Sequence, residues 1–252
     1  MQPWFSYFVV ALLPAVCTAL GAAAVFLLCR QPADHTQRAL LGFAAGVMLA
    51  ASVFSLLLPA VQRAEALGWP GWLPAAAGLC LGAVGLLWLE EKTARLASRS
   101  GSTGSRMILA VTLHNLPEGM VVGLALALAA QNAAGGAALT GALALSFGIS
   151  LQDVPEGAAV SLPLRQMGHS RMSAFGWGVA SGLVEPLGAL LAFCLAGWVG
   201  HAMPWLMAAA AGAMVCVAAQ EMIPAAAKEG SVGVVSVVLG FALMMALDLA
   251  LG

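Results

Sequence analysis

Charged side chains are scarce in this chain: Asp, Glu, Lys and Arg make up 8% of its 252 residues, against roughly 25% in an ordinary soluble domain. A soluble protein of this length needs far more polar side chains to cover its surface, so the composition excludes a soluble globule. A net charge of −1 argues against nucleic acid as a partner. What the chain has instead is apolar: 62% of its residues are hydrophobic, and the mean hydropathy is +0.96. We therefore predict an all-α polytopic membrane protein.

Several motifs of soluble enzymes and secreted proteins are also missing. The chain contains no Gly-x-x-x-x-Gly-Lys loop for nucleotide phosphates and no His-Glu-x-x-His zinc motif. ATP is therefore not expected as a partner. The five cysteines show no Cys-x-x-Cys spacing, so no disulfide framework is predicted. Residues 1–4 lack the basic segment of a signal peptide, so we expect the first apolar run to be retained as a span.

Apolar runs long enough to cross a bilayer as helices, which takes about 20 residues, recur along the whole chain. Short polar breaks separate eight of them, so we predict eight transmembrane helices in a single domain over residues 1–252. The predicted spans are 4–29, 39–60, 71–90, 107–130, 137–162, 172–199, 205–224 and 231–251.

Basic residues are distributed unevenly between the two sides that eight spans define. Cytoplasmic loops of membrane proteins carry an excess of Lys and Arg. The odd-numbered breaks contain nine of the ten basic residues, and Arg63 alone falls on the other side. The nine are Arg30, Arg38, Lys92, Arg95, Arg99, Arg106, Arg165, Arg171 and Lys228. We therefore predict a multi-pass protein of the cell membrane with both termini outside the cytoplasm.

Carboxylates stand inside the predicted spans or at their edges, where lipid disfavours them. These six of the eleven acids are Glu118, Asp153, Glu156, Glu185, Glu221 and Asp248, whereas every Lys and Arg lies in a break or at a span end. An ionised carboxylate inside a membrane protein is costly unless it is protonated, paired or bound to a metal. Since no basic partner is available, protons or cations are the expected counter-charge, and the acids mark an ion pathway.

One motif occurs twice, on spans 4 and 5. Span 4 contains His114-Asn115-Leu116-Pro117-Glu118-Gly119, and span 5 contains Gln152-Asp153-Val154-Pro155-Glu156-Gly157, 38 residues later. Residues three and four apart share a face of a helix, so each glutamate lies beside the two polar residues that open its motif. The two antiparallel spans together offer one imidazole, three carboxylates and two amide oxygens. Each proline also frees a carbonyl and predicts a kink, and Gly119-x-x-x-Gly123 and Gly42-x-x-x-Gly46 predict close helix packing.

The mixture of imidazole, carboxylate and amide ligands suits a borderline divalent transition metal such as Zn²⁺, Fe²⁺ or Mn²⁺. Both glutamates can bridge, so two metals about 3.5–4 Å apart are feasible. Met48 on span 2 would add a soft thioether that admits Cd²⁺, although methionine in a span is also a common packing residue. Glu185, which precedes Pro186 on span 6, is a further candidate ligand or a structural hydrogen-bonding acid.

Four more polar residues are candidates for the pathway to and from this site. Ser55 shares a face with Met48, Gln220 and Glu221 lie near the cytoplasmic end of span 7, and Asp248 lies near the outer end of span 8. Each also has a second interpretation: the Ser55 hydroxyl bonds back to its own helix, and the other three are hydrated helix ends.

The chain resembles the ZIP (Zrt/Irt-like) divalent-metal transporters, most of all their GufA-like bacterial branch. The features that carry the resemblance are HNLPEG in span 4, QDVPEG in span 5, VEP in span 6, GFAAGVMLAASVFSLLLP in span 2 and eight spans with external termini. The resemblance implies the ZIP fold, in which spans 1–3 and 6–8 are inverted repeats around spans 4 and 5 in a 3+2+3 arrangement. It also implies a homodimer and the uptake of Zn²⁺ and related metals into the cytoplasm.

Carried over by motif, the resemblance implies two metal sites. One comprises Met48, His114, Glu118, Gln152 and Glu156, and the other comprises Asn115, Glu118, Asp153, Glu156 and Glu185. Many members of the family carry His-Glu in span 7 where this chain has Gln220-Glu221, so its exit site departs from the common pattern.

We therefore predict a secondary transporter, not an enzyme, that imports a divalent metal by alternating access without ATP. Zn²⁺ is the expected substrate and bound ion, with Cd²⁺, Fe²⁺ and Mn²⁺ as further candidates. Two alternatives stay open: an intramembrane metalloenzyme that uses the same carboxylates, and a proton-coupled exchanger or exporter. Metal flux across liposomes distinguishes a transporter from the metalloenzyme, because a transporter moves metal across the membrane and an enzyme does not.

Overall fold

The computed structural model describes residues 3–27, 33–98, 103–131, 136–198, 200–228 and 230–251, and these residues form helices and turns without a β-strand. The α-helices are α1 (Pro3–Ala22), α2 (Ala24–Leu27), α3 (Asp34–Ala51), α4 (Leu58–Ala66), α5 (Trp72–Ser98), α6 (Thr103–Gln131), α7 (Gly136–Gln166), α8 (Arg171–Gly182), α9 (Val184–Trp198), α10 (Met203–Val217), α11 (Ile223–Ala226) and α12 (Val232–Leu251). A 3₁₀ turn, Gly200–Ala202, precedes α10.

Described helical residues lie in each of the eight ranges that the sequence predicts to cross the membrane. Within the described residues, six segments are long and apolar enough to do so: Phe5–Leu27, Asp34–Ala66, Trp72–Thr93, Arg171–Ala196, Met203–Ala226 and Val232–Ala250. Between the first three and the last three lie α6 and α7, which are 29 and 31 residues long and carry the two polar motifs. The prediction of an all-helical, multi-pass membrane protein is confirmed.

Several helices are longer than the apolar runs that predict them. α3 begins at Asp34 and α5 ends at Ser98, whereas the apolar runs begin at 39 and end at 90. Hydropathy marks the lipid-embedded part of a helix, and polar turns can continue the same helix into water. In α5, Arg95 donates a hydrogen bond to Glu91 one turn earlier, which gives this polar extension modest support.

Two π-helical turns interrupt the helices of the second and the seventh predicted spans. Ser52–Leu57 joins α3 to α4, and Ala218–Met222 joins α10 to α11. A proline, Pro59 or Pro224, stands two residues after each turn. Proline lacks the N–H that a regular α-helix would use there, and a wider turn accommodates the missing bond without ending the segment.

Glycines lie at the closest helix contacts. The four most extensive helix pairings are α3 with α12, α1 with α7, α6 with α9, and α5 with α10. A methyl group built on Gly46, Gly157, Gly119 or Gly82 would lie 2.0, 1.9, 2.0 or 1.8 Å from a backbone carbonyl oxygen of the partner helix. Only a hydrogen atom fits at these distances, so backbone contacts backbone in all four pairings. Close packing through the glycine motifs of α3 and α6 is thereby confirmed.

These contacts sort the helices into two groups. The motif group comprises α1, α2 and α6–α9, and the framework group comprises α3–α5 and α10–α12. Among the described glycines, Gly148 of α7 makes the close contact between the groups, and its built methyl meets the Met244 Sδ atom at 2.2 Å rather than backbone. The shared hydrophobic core contains the buried methionines Met48, Met203, Met207, Met214 and Met244. Backbone contacts therefore hold each group together, and side chains fill the boundary between the groups.

Candidate metal centre

The two Pro-Glu-Gly motifs converge near the middle of α6 and α7, which both continue as α-helix through their motif prolines. Glu118, Asp153 and Glu156 each have a carboxylate oxygen within 4.8 Å of the other two. Glu118 and Asp153 are buried, and Glu156 is partly exposed. The structure therefore brings the Glu118 carboxylate of span 4 together with those of Asp153 and Glu156 in span 5, which come 35 and 38 residues later in the sequence.

The glycine that ends each motif admits another helix beside the glutamate. Gly119 of α6 lies against the backbone carbonyl of Glu185 in α9, and Gly157 of α7 lies against the backbone carbonyl of Thr18 in α1. A side chain at either glycine would push the neighbouring helix away. As a result, the Glu185 carboxylate enters the same cluster from α9, fully buried, and the Thr18 hydroxyl reaches it from α1.

Hydrogen bonds orient the two amide side chains through their nitrogen atoms. Asn115 Nδ2 donates to Glu185 Oε1 at 3.0 Å and to the backbone carbonyl of Ser181 at 3.3 Å. Gln152 Nε2 donates to Glu118 Oε1. Because these bonds use the amide nitrogens, the oxygens Asn115 Oδ1 and Gln152 Oε1 face the other way and accept no hydrogen bond within the described residues. Both amides are thereby held with an oxygen available as a ligand.

Seven buried oxygens of this cluster have no hydrogen-bond donor in the described part of the chain. They are Asn115 Oδ1, Glu118 Oε2, Gln152 Oε1, Asp153 Oδ1 and Oδ2, Glu156 Oε1 and Glu185 Oε2. A buried polar group without a partner costs about 1–3 kcal/mol, so seven amount to roughly 7–20 kcal/mol, as much as the whole stability of a typical domain. No described Lys or Arg contacts them, and all seven are acceptors. Protons or metal cations would satisfy such a set of acceptors.

The site has two layers, which differ in their access to a cavity of about 470 Å³. Met48, Glu118, Gln152 and Glu156 line the cavity. Asn115, Asp153 and Glu185 are buried and do not line it, and Glu185 bonds to Asn115 of α6 and to Thr18 of α1. His114 precedes Asn115 on α6, and its side chain lies outside the described residues.

The predicted pathway residues fall at opposite ends of the molecule, and three of the four lie in or beside the π-helical turns. Ser55, in the first turn, donates to Asp248 Oδ1 at 2.7 Å rather than to its own helix, and both line a second cavity of about 650 Å³. Glu221, in the second turn, lines the first cavity. Its neighbour Gln220 turns to α5 instead, where Nε2 donates to Glu90 Oε2 at 3.4 Å.

Thr18 belongs to this site and was not predicted. Its Oγ1 atom donates to Glu185 Oε1 at 2.8 Å across 167 residues of sequence. A single threonine in an apolar span carries no signal of its own, since a hydroxyl that bonds to its own helix looks the same in the sequence.

Comparisons with known proteins place the chain among metal transporters. The model of a family described as ZIP zinc transporters matches residues 136–248. Zinc transporter ZIPB of Bordetella bronchiseptica is 43% identical over 249 residues, which cover 93% of this chain and 78% of ZIPB. Zinc transporter GufA of Myxococcus xanthus is 34% identical, with 97% of this chain and 98% of GufA covered. Human zinc transporter ZIP11 is 33% identical, with 93% and 94% covered. With both polar motifs, a helical membrane fold and relatives that match over nearly its whole length, this chain belongs to the ZIP family of zinc transporters.

Proposed function

We propose that this chain is a secondary transporter that carries Zn²⁺ across the cell membrane into the cytoplasm. The relatives described above are named zinc transporters. The observation that carries the proposal is the set of seven buried acceptor oxygens on α6, α7 and α9, one side of which opens into a cavity. A structural metal site is closed on all sides, whereas a site with an open side lets its cation enter and leave.

Two cation positions follow from the two layers of the site. Glu118 and Glu156 lie between the layers and bridge the positions. The cavity-side position adds Met48, His114 and Gln152, and the inner position adds Asn115, Asp153 and Glu185. The layering supports the two ligand sets that the family resemblance implies, because Met48 and Gln152 line the cavity while the other three described ligands do not.

The ligand chemistry favours Zn²⁺ and leaves room for other divalent metals. Imidazole, carboxylate and amide together suit borderline cations such as Zn²⁺ and Fe²⁺. The Met48 thioether makes the cavity-side position acceptable to the softer Cd²⁺, whereas the inner position has oxygen ligands alone and suits Mn²⁺ as well.

The two cavities define an entrance and an exit once the orientation predicted from the basic residues is applied. The first cavity runs from the site past Leu162 and Ala225 to Gln37, beside breaks that carry the basic residues, and so opens to the cytoplasm. The second contains Ser55, Arg63 and Asp248 at the opposite end, and so faces outward. The described structure is then the inward-open state of an alternating-access cycle.

The helix pairings support the 3+2+3 arrangement with inverted repeats. We number the eight segments in chain order, so that α1–α2 is segment 1, α3–α4 is 2, α5 is 3, α6 is 4, α7 is 5, α8–α9 is 6, α10–α11 is 7 and α12 is 8. An inverted repeat exchanges segment 1 with 6, 2 with 7, 3 with 8 and 4 with 5. Under this exchange the pairing of α1 with α7 becomes that of α9 with α6, and the pairing of α3 with α12 becomes that of α10 with α5. The π-helical turns also occur in exchanged segments, each just before a proline. Alternating access then consists of motion of the motif group against the framework group.

Replacement of the bridging glutamates tests the proposal. Glu118→Ala or Glu156→Ala should abolish saturable uptake of ⁶⁵Zn into proteoliposomes, while Glu65→Ala, which removes an exposed carboxylate on α4, should leave it unchanged. Native uptake by Glu118→Ala would overturn the proposal. Proton flux in the absence of metal would favour the exchanger instead. Sedimentation of the purified protein tests the homodimer, which stays a prediction.

A further inference from the structure

Thr18 contacts the metal centre although it belongs to neither proposed ligand set. The residue is 0% exposed, and its Oγ1 atom lies 2.8 Å from Glu185 Oε1 and 3.3 Å from the carbonyl oxygen of Pro14 in the same helix. A hydroxyl has one proton to donate, and a bond to a carboxylate is shorter and stronger than a bond to a neutral carbonyl. The shorter distance therefore identifies Glu185 as the acceptor.

Thr18 and Glu185 occupy equivalent positions beside the two motif glycines. The backbone carbonyl of Glu185 packs against Gly119, and the backbone carbonyl of Thr18 packs against Gly157. Gly119 and Gly157 end the two copies of the motif. One copy is therefore flanked by a carboxylate, and the other by a hydroxyl that bonds to that carboxylate.

Two donors converge on one oxygen of Glu185. Thr18 Oγ1 and Asn115 Nδ2 both donate to Oε1, at 2.8 and 3.0 Å, whereas Oε2 is buried and no described residue donates to it. The same Asn115 bond fixes the amide with Oδ1 on the other side, where the described part of the chain offers no donor either. If Thr18 did not hold Oε1, the carboxylate would be free to rotate about its terminal bond, and Asn115 would lose its fixed partner.

We propose that Thr18 is a positioning residue for the inner cation position. Its hydroxyl holds Glu185 Oε1, and through this shared acceptor it holds the Asn115 amide, so that Glu185 Oε2 and Asn115 Oδ1 stay directed at the cation. The inference rests on the proposed function, because it concerns how that site grips its metal. It also makes Thr18 a determinant of metal preference, since it acts on the all-oxygen layer and leaves Met48 untouched.

Thr18→Val tests the inference because valine keeps the shape of threonine, including the methyl that packs beside Gly182, and removes the donor. Partner residues that orient metal ligands are typically worth about 10-fold or more in affinity. We therefore expect the KM of Thr18→Val for Mn²⁺ and Zn²⁺ to rise about 10-fold, with maximal rates within about twofold of wild type. The KM for Cd²⁺, which also binds the Met48 thioether, should rise less than about threefold.

The measurements are initial rates of Zn²⁺, Mn²⁺ and Cd²⁺ uptake into proteoliposomes, together with equilibrium binding of Mn²⁺ to the purified protein by electron paramagnetic resonance. Thr18→Ser should restore both to wild-type values. Ser146→Ala is the matched control, because it removes another buried hydroxyl from the contact of α1 with α7, one that donates to Val10 carbonyl at 2.7 Å. It should change neither measurement.

Three outcomes would overturn the inference: a wild-type KM for Mn²⁺ and Zn²⁺ in Thr18→Val, an equal rise for all three metals, or failure of Thr18→Ser to restore them. If Thr18→Val does not assemble, the Thr18→Ser and Thr18→Ala pair makes the same comparison, since the two differ by one oxygen atom. Absence of metal uptake by the wild type would instead refute the proposed function. Wild-type uptake that Glu118→Ala abolishes, with Thr18→Val unaffected, would refute the role of Thr18 alone.

Discussion

A single methyl group on Gly119 should disable the metal centre without changing the side chain of any proposed ligand. In Gly119→Ala the new carbon would lie 2.0 Å from the carbonyl oxygen of Glu185. Carbon and oxygen in ordinary contact are about 3.3–3.6 Å apart, so α6 and α9 must separate by at least roughly 1.3 Å. The bond from Asn115 Nδ2 to Glu185 Oε1, now 3.0 Å, would then be lost. Both partners are backbone at this contact, and no side chain can turn aside.

The cost of this change in stability has two parts of opposite sign. Alanine favours a helix over glycine by about 0.8–1.0 kcal/mol. Overpacking of a tight contact costs about 1–3 kcal/mol and occasionally more, which exceeds the gain. Gly176→Ala in α8 isolates the favourable part, because a methyl there meets no atom of the described residues within 4 Å and Gly176 also lies inside a helix. We expect Gly119→Ala to be destabilised and Gly176→Ala to be stabilised by up to about 1 kcal/mol.

The assay compares the two variants with wild type by thermal unfolding in detergent and by initial ⁶⁵Zn uptake in proteoliposomes. Gly119→Ala should unfold at a lower temperature and lose most of its uptake, and Gly176→Ala should keep full uptake. If Gly119→Ala unfolds and transports as wild type does, the close contact of α6 with α9 does not position Glu185, and the reasoning is refuted.

Three further predictions concern the route and its chemistry. Asp248→Asn keeps an acceptor for the Ser55 hydroxyl but removes a charge from the second cavity, so the KM for Zn²⁺ should rise severalfold at low ionic strength and approach wild type in high salt. A salt-independent KM would contradict electrostatic attraction at this proposed entrance. Ala159→Cys places a thiol on the wall of the first cavity. This thiol should react with a hydrophilic reagent from the cytoplasmic side alone, and more slowly when Zn²⁺ is present. Labelling from outside would reverse the proposed orientation. Protons bind to the same oxygens as the metal, so the apparent affinity for Zn²⁺ should fall as pH falls from about 8 to about 5.5; an unchanged KM would argue against carboxylate and imidazole ligands.

The carboxylates of the site are predictable from the sequence because lipid makes them conspicuous. Glu118, Asp153 and Glu156 are acids in apolar runs without a basic residue to pair them, and helical spacing places each beside its polar neighbours. The helical membrane fold follows from the same contrast between apolar runs and short polar breaks. The assignment of metal ligands, the orientation of the chain in the membrane and the inverted-repeat arrangement stay predictions.

Other features of the site depend on which helices pack together, and the spacing of residues within one helix does not specify that. The contact of Thr18 with Glu185 exists because two motif glycines admit α1 and α9 to the same place. Gln220 and Glu221 are adjacent in sequence, yet one turns to α5 and the other lines a cavity, because successive side chains on a helix point in different directions. The π-helical turns leave a faint signal in the prolines that follow them, but proline alone fits several local structures.

The contact of Gly148 with Met244 bears on how a carrier can keep its cargo sheltered during movement. Methionine is unbranched and has three rotatable bonds, so its thioether can follow a surface that shifts and still fill the gap. Backbone-to-backbone contacts have one fit and resist such a shift. If the motif group moves against the framework group as proposed, the boundary filled by methionine side chains can adapt while the glycine contacts inside each group stay fixed, and intermediate stages can remain packed around the ion.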